Sequence, residues 1–272
     1  MNDEGLGLII SEDHEATING FDAVPVSFGA GEDVEPRWVP PLVVESQGAT
    51  NSCAGHAIAL AASHANHAAT GEVLRFSSRF GYITSQRASG QFLGRDGGTS
   101  ITSTIKAATE YGCCLESTCP FQERYDTNLP KIAYDEAARH KHHGDLRYDC
   151  RDHQTAINWL TAHRCICIGS RWYSGQDACS GIEDKRAGTS GNFRGYHARL
   201  LIGWDTHDGV LCPVVQNSHG QRWGNHGRAI VTPDLWRVWA SDSNFFALGV
   251  TRIDEVEPKR KSWTESKPGD NC

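Results

Sequence analysis

The stretch "SCAGHAIALAASHANHAATG", residues 52–71, constrains the fold of this chain more than any other. It is rich in alanine, the residue most favourable to helices, and it contains no proline. Ser52 is a residue type that caps helix N-termini, and Gly71 is the type that ends helices. The stretch therefore predicts a long helix with Cys53 in its first turn.

Further along the chain, helical patterns give way to strand-like ones. "SSRFGYITSQRA", "ITSTIKAATEYG" and "RDHQTAINWLTAH" are helical in character, whereas "RCICIGSRW" and the apolar segments up to "FFALGVTRI" favour strands. Segregated helices and strands are typical of α+β proteins with two packed halves. We expect one domain over residues 36–254, with a helical half at about 46–148 and a β half at about 149–254 plus 36–45.

Composition narrows the possible partners and locations. A hydrophobic content of 39% and a charged content of 22% describe an ordinary soluble globular protein. The formal net charge of −7 argues against nucleic acid or an anionic membrane as a partner. The N-terminus lacks the basic and apolar regions of a secretory signal, and no run is long enough to span a bilayer. We therefore expect a cytoplasmic protein, or one carried within a larger particle such as a virion.

The two ends of the chain differ in composition from the predicted domain. Residues 1–35 are acidic and glycine-rich and are interpreted as an irregular arm, and residues 255–272 as a polar tail. Either end could dock into a larger assembly. The ten cysteines are expected to be structural thiols in a reducing compartment, with Cys53 as the exception.

Cys53 is the strongest candidate for a reactive residue. A free thiol has a pKa of about 8.5, but a helix N-terminus favours the thiolate through its unpaired N–H groups. A cysteine nucleophile also needs an imidazole, a group that orients the ring, and an oxyanion hole. The candidates are His197 at the start of an apolar strand, Asn217 at the end of the next, and Gln47 shortly before Cys53.

Four sequence blocks, in order, resemble the papain-like cysteine peptidases. They are "QGATNSCAGHAIA", "DGGTSITSTIKAATEYGCCLESTCPF", "GYHARLLIGWD" and "QNSHGQRWGNHG". The spacing from Cys53 to His197 lies within the range of about 130–150 residues typical of this family, and Asn217 follows slightly beyond it. Four blocks in the same order are a specific signal, whereas any one of them would be weak.

The resemblance implies a papain-like fold, with a helical half, a β-barrel half and an active-site cleft between them. It implies Cys53 as nucleophile, His197 as general base and acid, and Asn217 as the residue that orients the ring. Gln47 and the Cys53 N–H would form the oxyanion hole. No metal or organic cofactor is implied.

The resemblance also implies substrate-binding residues. Gly97 and Gly98 match the glycine pair that lets an extended peptide add to the enzyme's backbone edge. Tyr196 and His219 lie in the histidine and asparagine blocks and are assigned to the same role. The expected substrate is a polypeptide.

Three positions depart from the family pattern. Thr50 stands where secreted relatives carry a disulfide cysteine, and Ala54 replaces the usual aromatic residue after the nucleophile. His219 replaces the tryptophan that normally shields the His–Asn hydrogen bond from water. Because few residues precede Cys53, we expect no long inhibitory prosegment and no control by zymogen cleavage.

Other histidines have simpler interpretations. His56 could face the thiol, but it is expected to be core or to line the cleft. His64 and His67 are interpreted as a solvated helix face rather than a zinc site, because no second ligand pair has the right spacing. The "HKHH" run at 140–143 is interpreted as an exposed helix end.

Three functions are compatible with these residues. The first is a thiol hydrolase that cleaves peptide bonds through an acyl-enzyme intermediate. The second is a papain-fold binding or structural component with weak or lost catalysis, which the changes at Ala54 and His219 motivate. The third is cleavage of isopeptide or peptidoglycan cross-links by the same residues.

Overall fold

The computed structural model of the protein describes residues 6–10, 43–91, 94–142, 148–161, 165–250 and 253–255. The helices there are α1 (Cys53–Thr70), α2 (Ser78–Ser89), α3 (Ile101–Glu110), α4 (Lys131–Ala137), α5 (His153–Thr161), α6 (Lys185–Thr189) and α7 (Pro233–Ala240). The strands are β1 (His140–His142), β2 (Tyr148–Asp149), β3 (Cys165–Tyr173), β4 (Ile182–Glu183), β5 (Phe193–His207), β6 (Val210–Gln216), β7 (Arg228–Val231), β8 (Phe246–Val250) and β9 (Ile253–Glu255).

Helix α1 is the Ala-rich helix that the sequence predicts. It ends at Gly71, whose left-handed φ of 76° lets its N–H donate to the His67 carbonyl oxygen. Ser52 occupies the N-cap position, but its side chain makes no capping bond and lies within hydrogen-bond distance of Thr50 and His56 instead. The small residues of α1 allow close packing on α2, where a Cβ on Gly55 would lie 2.6 Å from the Tyr82 Cβ.

The β half is a seven-stranded sheet in the order β2-β8-β3-β5-β6-β7-β4. Its pairs are antiparallel except β4 with β7, and β1 pairs with β9 in a separate two-stranded sheet. One apolar cluster joins α1 to the side chains of β5 around Ala198, and a second packs α5 and α7 beneath the sheet around Leu201. Strand β5 therefore belongs to both cores, which fixes His197 at the junction of the two halves.

This architecture confirms the predicted α+β class, with a helical half and a β half. None of the helices in the described ranges is long and apolar enough to cross a membrane. Most of the predicted arm and tail lies outside the described residues, namely residues 1–5, 11–35 and 256–272. Positions 36–42 of the predicted domain also lie outside them.

Two interpretations of histidines were wrong. The "HKHH" run contributes strand β1 rather than a helix end, because residues 140–142 pair with β9. His64 is buried rather than solvated, with 3% of its surface exposed. In an alanine-rich helix every face is apolar enough to pack. The sequence alone therefore does not show which face is buried.

Candidate active site

Cys53 lies at the N-terminus of α1 and is fully buried at the junction of the two halves. Its Sγ accepts a hydrogen bond from the Ala198 N–H at 3.4 Å. Because Ala198 follows His197 on β5, this contact fixes the thiol beside the histidine strand. The predicted association of Cys53 with the His197 segment is therefore present in the fold.

His197 and Asn217 are joined by a hydrogen bond of 2.7 Å between Nε2 and Oδ1. The Ser218 N–H also donates to Asn217 Oδ1, at 2.8 Å, which identifies that atom as the carbonyl oxygen. An oxygen that only accepts requires the proton on Nε2 of His197. His197 Nδ1 has no hydrogen-bond partner among the described residues, so it can receive a proton from a nearby thiol.

Gln47 is held between its own loop and the Asn217 segment. Its Nε2 donates to the Thr50 carbonyl oxygen at 2.8 Å, and its Oε1 accepts from the Ser218 hydroxyl at 2.5 Å. The Gln47 backbone N–H also donates to the Ser218 carbonyl oxygen at 2.8 Å. These bonds fix a side-chain amide near the first turn of α1, as an oxyanion hole requires.

Burial disfavours the charged forms of both the thiol and the imidazole. Burial raises the pKa of Cys53 to about 11, although N–H groups of Ala198 and Gly7 pull it down. Burial and the charge of His219 hold the pKa of His197 well below its usual value. The cause is exclusion of water, so uncovering the site favours the charged forms.

The covering group is the chain's own cleft segment, residues 6–10. The Thr99 N–H donates to the Gly7 carbonyl oxygen at 2.8 Å, and the Ile9 N–H donates to the Thr99 carbonyl oxygen at 3.0 Å. This is a parallel β-bridge between Leu8 and Thr99. Residues 6–10 of the predicted arm thus lie over Cys53. The absence of a long inhibitory prosegment stays a prediction.

Gly98 of the predicted glycine pair makes backbone hydrogen bonds within the protein, and substrate binding by Gly97 and Gly98 stays a prediction. The Gly98 N–H donates to the Tyr82 hydroxyl, and the Gly98 carbonyl oxygen accepts from Gln86 Nε2. The backbone edge that pairs with an extended segment is therefore that of Thr99. Glycine is required at position 98 for two reasons. Its φ is +84°, and a Cβ there would lie 2.1 Å from the Gly7 carbonyl oxygen.

An apolar pocket between the two halves holds the side chain of Leu8. A Cβ on Gly169 would lie 2.5 Å from Leu8 Cδ2, with Ile101 and Phe246 as the next neighbours. Leu8 is 7% exposed and belongs to the same cluster as Ala198. Glycine at position 169 therefore creates the space that a branched apolar side chain fills.

Tyr82 and Asp96 are site residues that the sequence alone did not identify. The Tyr82 hydroxyl donates to Asp96 Oδ1 at 2.6 Å, and the Asp96 carboxylate accepts from the Asn51 N–H at 3.0 Å. The pair thereby links the loop before Cys53 to the Gly98 loop. "GRDGGTS" did contain the aspartate, but nothing local indicates its partners.

His219 and Tyr196 flank His197. The His219 ring stacks on the His197 ring, with centroids 4.6 Å apart and planes 29° apart, and both contact Trp172 edge-on. Tyr196 is half-buried against Phe193, and its hydroxyl accepts from Asn244 at 2.9 Å. Contact of either residue with a substrate remains a prediction.

The remaining cysteines and acids form neither a disulfide nor a metal cluster in the described part of the chain. Each cysteine there carries a free thiol and is buried. No group of three or more His, Cys, Asp or Glu side chains in those residues could hold a metal ion.

The geometry agrees with comparisons to known proteins. The family model for papain family cysteine proteases matches residues 36–233. No curated protein matches the sequence. Xylellain, a cysteine protease from Xylella fastidiosa, superposes with a TM-score of 0.71 at 19% identity, covering 93% of this chain and 98% of the other.

Two further structures have similar folds. Procathepsin B from Trypanosoma congolense has a TM-score of 0.68 at 14% identity, over 93% of this chain and 87% of the other. Digestive procathepsin L 3 of Tenebrio molitor has a TM-score of 0.63 at 14% identity, over 92% and 76%. The family match spans most of the chain, so this protein belongs to the papain family of cysteine proteases.

Proposed function

We propose that the protein is a cysteine-type peptidase that uses Cys53, His197, Asn217 and Gln47. The observation that carries the proposal is the 2.7 Å bond from His197 Nε2 to Asn217 Oδ1, which leaves Nδ1 available to the thiol. The neutral Asn217 amide accepts a hydrogen bond that orients the His197 ring, but it does not remove the proton from the ring. This arrangement suits an imidazole that must gain and lose a proton in each cycle.

The reaction follows from these positions. His197 Nδ1 takes the thiol proton, and Cys53 Sγ attacks the peptide carbonyl carbon. The Gln47 amide and the Cys53 N–H stabilise the oxyanion, and His197 then protonates the leaving amine. Water, deprotonated by His197, hydrolyses the thioester and restores the thiol. The peptide bond gains one water in total, and no cofactor takes part.

We further propose that the described arrangement is a latent state. The cleft segment occupies the Thr99 edge and the Leu8 pocket, which an extended peptide substrate would need. The segment must therefore leave before a substrate binds. The alternative role of residues 1–35, docking into a larger assembly, competes with this placement of residues 6–10.

The test is cleavage of a diverse peptide library by the full chain, with and without prior displacement of the cleft segment by substitution. We expect cleavage that disappears in Cys53→Ala and falls roughly 100-fold or more in His197→Ala, the usual contribution of a general base. Asn217→Ala should give a smaller loss. Equal turnover in Cys53→Ala and the parent chain would exclude the proposal.

A binding component with silent catalysis is the second candidate. It is favoured by the burial that disfavours the charged forms of Cys53 and His197. It predicts that Cys53 is no more reactive towards iodoacetamide than the other cysteines even after the segment is displaced. Cleavage of peptidoglycan or isopeptide substrates instead of linear peptides would keep the residue roles and change the substrate class.

A further inference from the structure

A further pocket, here called the α1–β6 pocket, lies between α1, strands β5 and β6, and the segment that precedes α2. Its empty space measures about 530 Å³ with its open mouth included. Much of its wall is apolar and comes from Val43, Ala57, Leu60, Val73, Leu74 and Leu200. Val43 and Val73 leave about half of their surface in water, 49% and 59%. The pocket therefore presents apolar side chains to solvent.

The α1–β6 pocket also contains polar residues that lack part of their hydrogen bonding. His56, Gln216 and Asn217 line it, and each is more than nine-tenths buried. His56 Nε2, Gln216 Oε1 and Asn217 Nδ2 have no hydrogen-bond partner among the described residues. Buried polar atoms in folded proteins are almost always hydrogen-bonded. These three atoms therefore indicate a ligand that has polar as well as apolar groups.

The position of the proton on His56 follows from its neighbours. Nδ1 lies 3.1 Å from the Ser52 carbonyl oxygen, which can only accept. The Thr50 hydroxyl donates to the Gln47 carbonyl oxygen, so the Ser52 hydroxyl donates to Thr50 and faces His56 Nδ1 as an acceptor. Nδ1 therefore carries the proton. In the uncharged ring, which burial favours by lowering the pKa of His56, Nε2 is then an acceptor.

Glu45 lies opposite that acceptor. Its Oε2 is 3.5 Å from His56 Nε2, so a lone pair and a carboxylate oxygen meet without a hydrogen between them. The other oxygen, Oε1, accepts from Arg75 Nε at 2.7 Å. Arg75 also lies 3.8 Å from Glu116, so a single guanidinium serves two carboxylates. The group therefore has an excess of negative charge and lacks a donor beside His56.

We propose that the α1–β6 pocket binds a primary ammonium that carries a small branched apolar group. Two acceptors 3.5 Å apart can both lie about 2.9 Å from one nitrogen, the usual length of an N–H hydrogen bond. One ammonium therefore donates to His56 and to Glu45, and its third N–H is available to an acceptor such as Gln216 Oε1. The apolar group packs against the wall. This site does not depend on the proposed function.

The experiment uses isobutylammonium chloride as the probe. Isobutanol, which has the same apolar group without the charge, is its control. Binding is followed in the full chain by the NMR shifts of the Ala57, Leu60 and Leu74 methyl groups. The variants are Glu45→Gln, which removes the charge and keeps the shape, and Leu60→Trp, which fills the pocket. Glu110→Gln, at the exposed end of α3, is the matched control.

We expect isobutylammonium to bind at least about tenfold more tightly than isobutanol, a difference of about 1.4 kcal/mol. In Glu45→Gln its affinity should fall to that of the alcohol, because the charge that attracts the cation is gone. Glu110→Gln should bind both probes like the parent, and Leu60→Trp should bind neither.

A third probe, leucinamide, distinguishes two sources of the ligand. It carries the α-ammonium of a peptide amino terminus beside an isobutyl group. Tighter binding of leucinamide than of isobutylammonium assigns the pocket to peptide termini, and weaker binding assigns it to free amines. Both results support the inference.

Three results would overturn the inference. They are the absence of methyl shifts with any of the probes, equal affinity of the parent chain for the ammonium and the alcohol, and an unchanged ammonium affinity in Glu45→Gln. The comparison of the two probes needs only the parent chain, so it holds even if a variant fails to fold. Binding should be the same in Cys53→Ala, which removes the nucleophile. Failure of the peptidase proposal and failure of this inference are thus distinguishable.

Discussion

Gly7 and Asn51 are in such close contact that a Cβ on Gly7 would lie 1.7 Å from the Asn51 carbonyl oxygen. Asn51 belongs to the loop that leads into Cys53, so this contact fixes the cleft segment directly beside the nucleophile. The Asn51 backbone cannot easily move away, because the Asn51 N–H and side chain are both hydrogen-bonded to Asp96. A glycine is therefore required at position 7 for the covered state.

We expect Gly7→Ala to displace the cleft segment and expose Cys53. The added methyl group collides with backbone, and about 1.4 kcal/mol of such strain already changes a population tenfold. The rate of Cys53 alkylation by iodoacetamide should rise at least about tenfold, and peptide cleavage should rise with it. The double variant Gly7→Ala/Cys53→Ala should show neither gain. A rate equal to that of the parent chain would contradict the covered state.

We expect Tyr82→Phe to destabilise the backbone edge at Thr99 and so to weaken peptide binding there. The substitution leaves the Gly98 N–H buried without its acceptor and removes a donor from Asp96. A lost buried hydrogen bond of this kind destabilises the fold by about 1–3 kcal/mol, and we expect KM for peptides to rise more than kcat falls. Urea unfolding and steady-state kinetics measure the two effects.

Tyr134→Phe is the matched control, because the Tyr134 hydroxyl is buried with no hydrogen-bond partner among the described residues. Its stability should be equal to or greater than that of the parent. If both variants lose the same amount of stability, the hydrogen bonds of the Tyr82 hydroxyl do not account for the loss in Tyr82→Phe.

Glu183→Gln should strongly destabilise the β half. Glu183 and Arg199 form an ion pair at 2.5 Å whose side chains are both fully buried, and Arg199 also lies over Trp172 and Trp239. Removing one partner leaves a buried charge uncompensated, which costs about 3–5 kcal/mol. The free energy of unfolding in urea measures the loss. Glu110→Gln, at the exposed Lys106–Glu110 pair, should change it by less than about 1 kcal/mol.

His64→Leu should make the fold less sensitive to acid. Burial lowers the pKa of His64 to about 3 from an ordinary value of 6.5, so the unfolded chain binds a proton in this window that the folded chain does not. Stability attributable to His64 is therefore complete above pH 6.5 and is lost as the pH falls towards 3.

The difference between His64→Leu and the parent should grow by about 1.4 kcal/mol for each pH unit within that window. Urea unfolding at about pH 6 and pH 4.5 measures it, and His207→Leu on the partly exposed hairpin is the control. Parallel losses in both variants and the parent would show that the other buried histidines carry the acid sensitivity.

The sequence by itself determined most of the local elements and supplied the candidates for the reactive groups. Alanine content and the Ser52 and Gly71 signals define α1, because helix propensity and termination act over a few residues. The chemistry of a nucleophile at a helix N-terminus pointed to Cys53, and the ordered blocks pointed to His197, Asn217 and Gln47. These inferences depend on neighbours in the chain or on motifs, and both are readable from one sequence.

Tertiary structure alone decided which distant groups meet. The acidic composition of residues 1–35 did not indicate that Gly7 and Leu8 lie over Cys53. That placement is possible because Gly7, Gly98 and Gly169 are glycines, which have no Cβ to collide with their neighbours. The stack of His219 on His197 likewise follows from the way β5 and the segment after β6 approach each other. Packing, burial and the exclusion of water are collective properties of the folded chain, and they set the charge states on which the proposed chemistry depends.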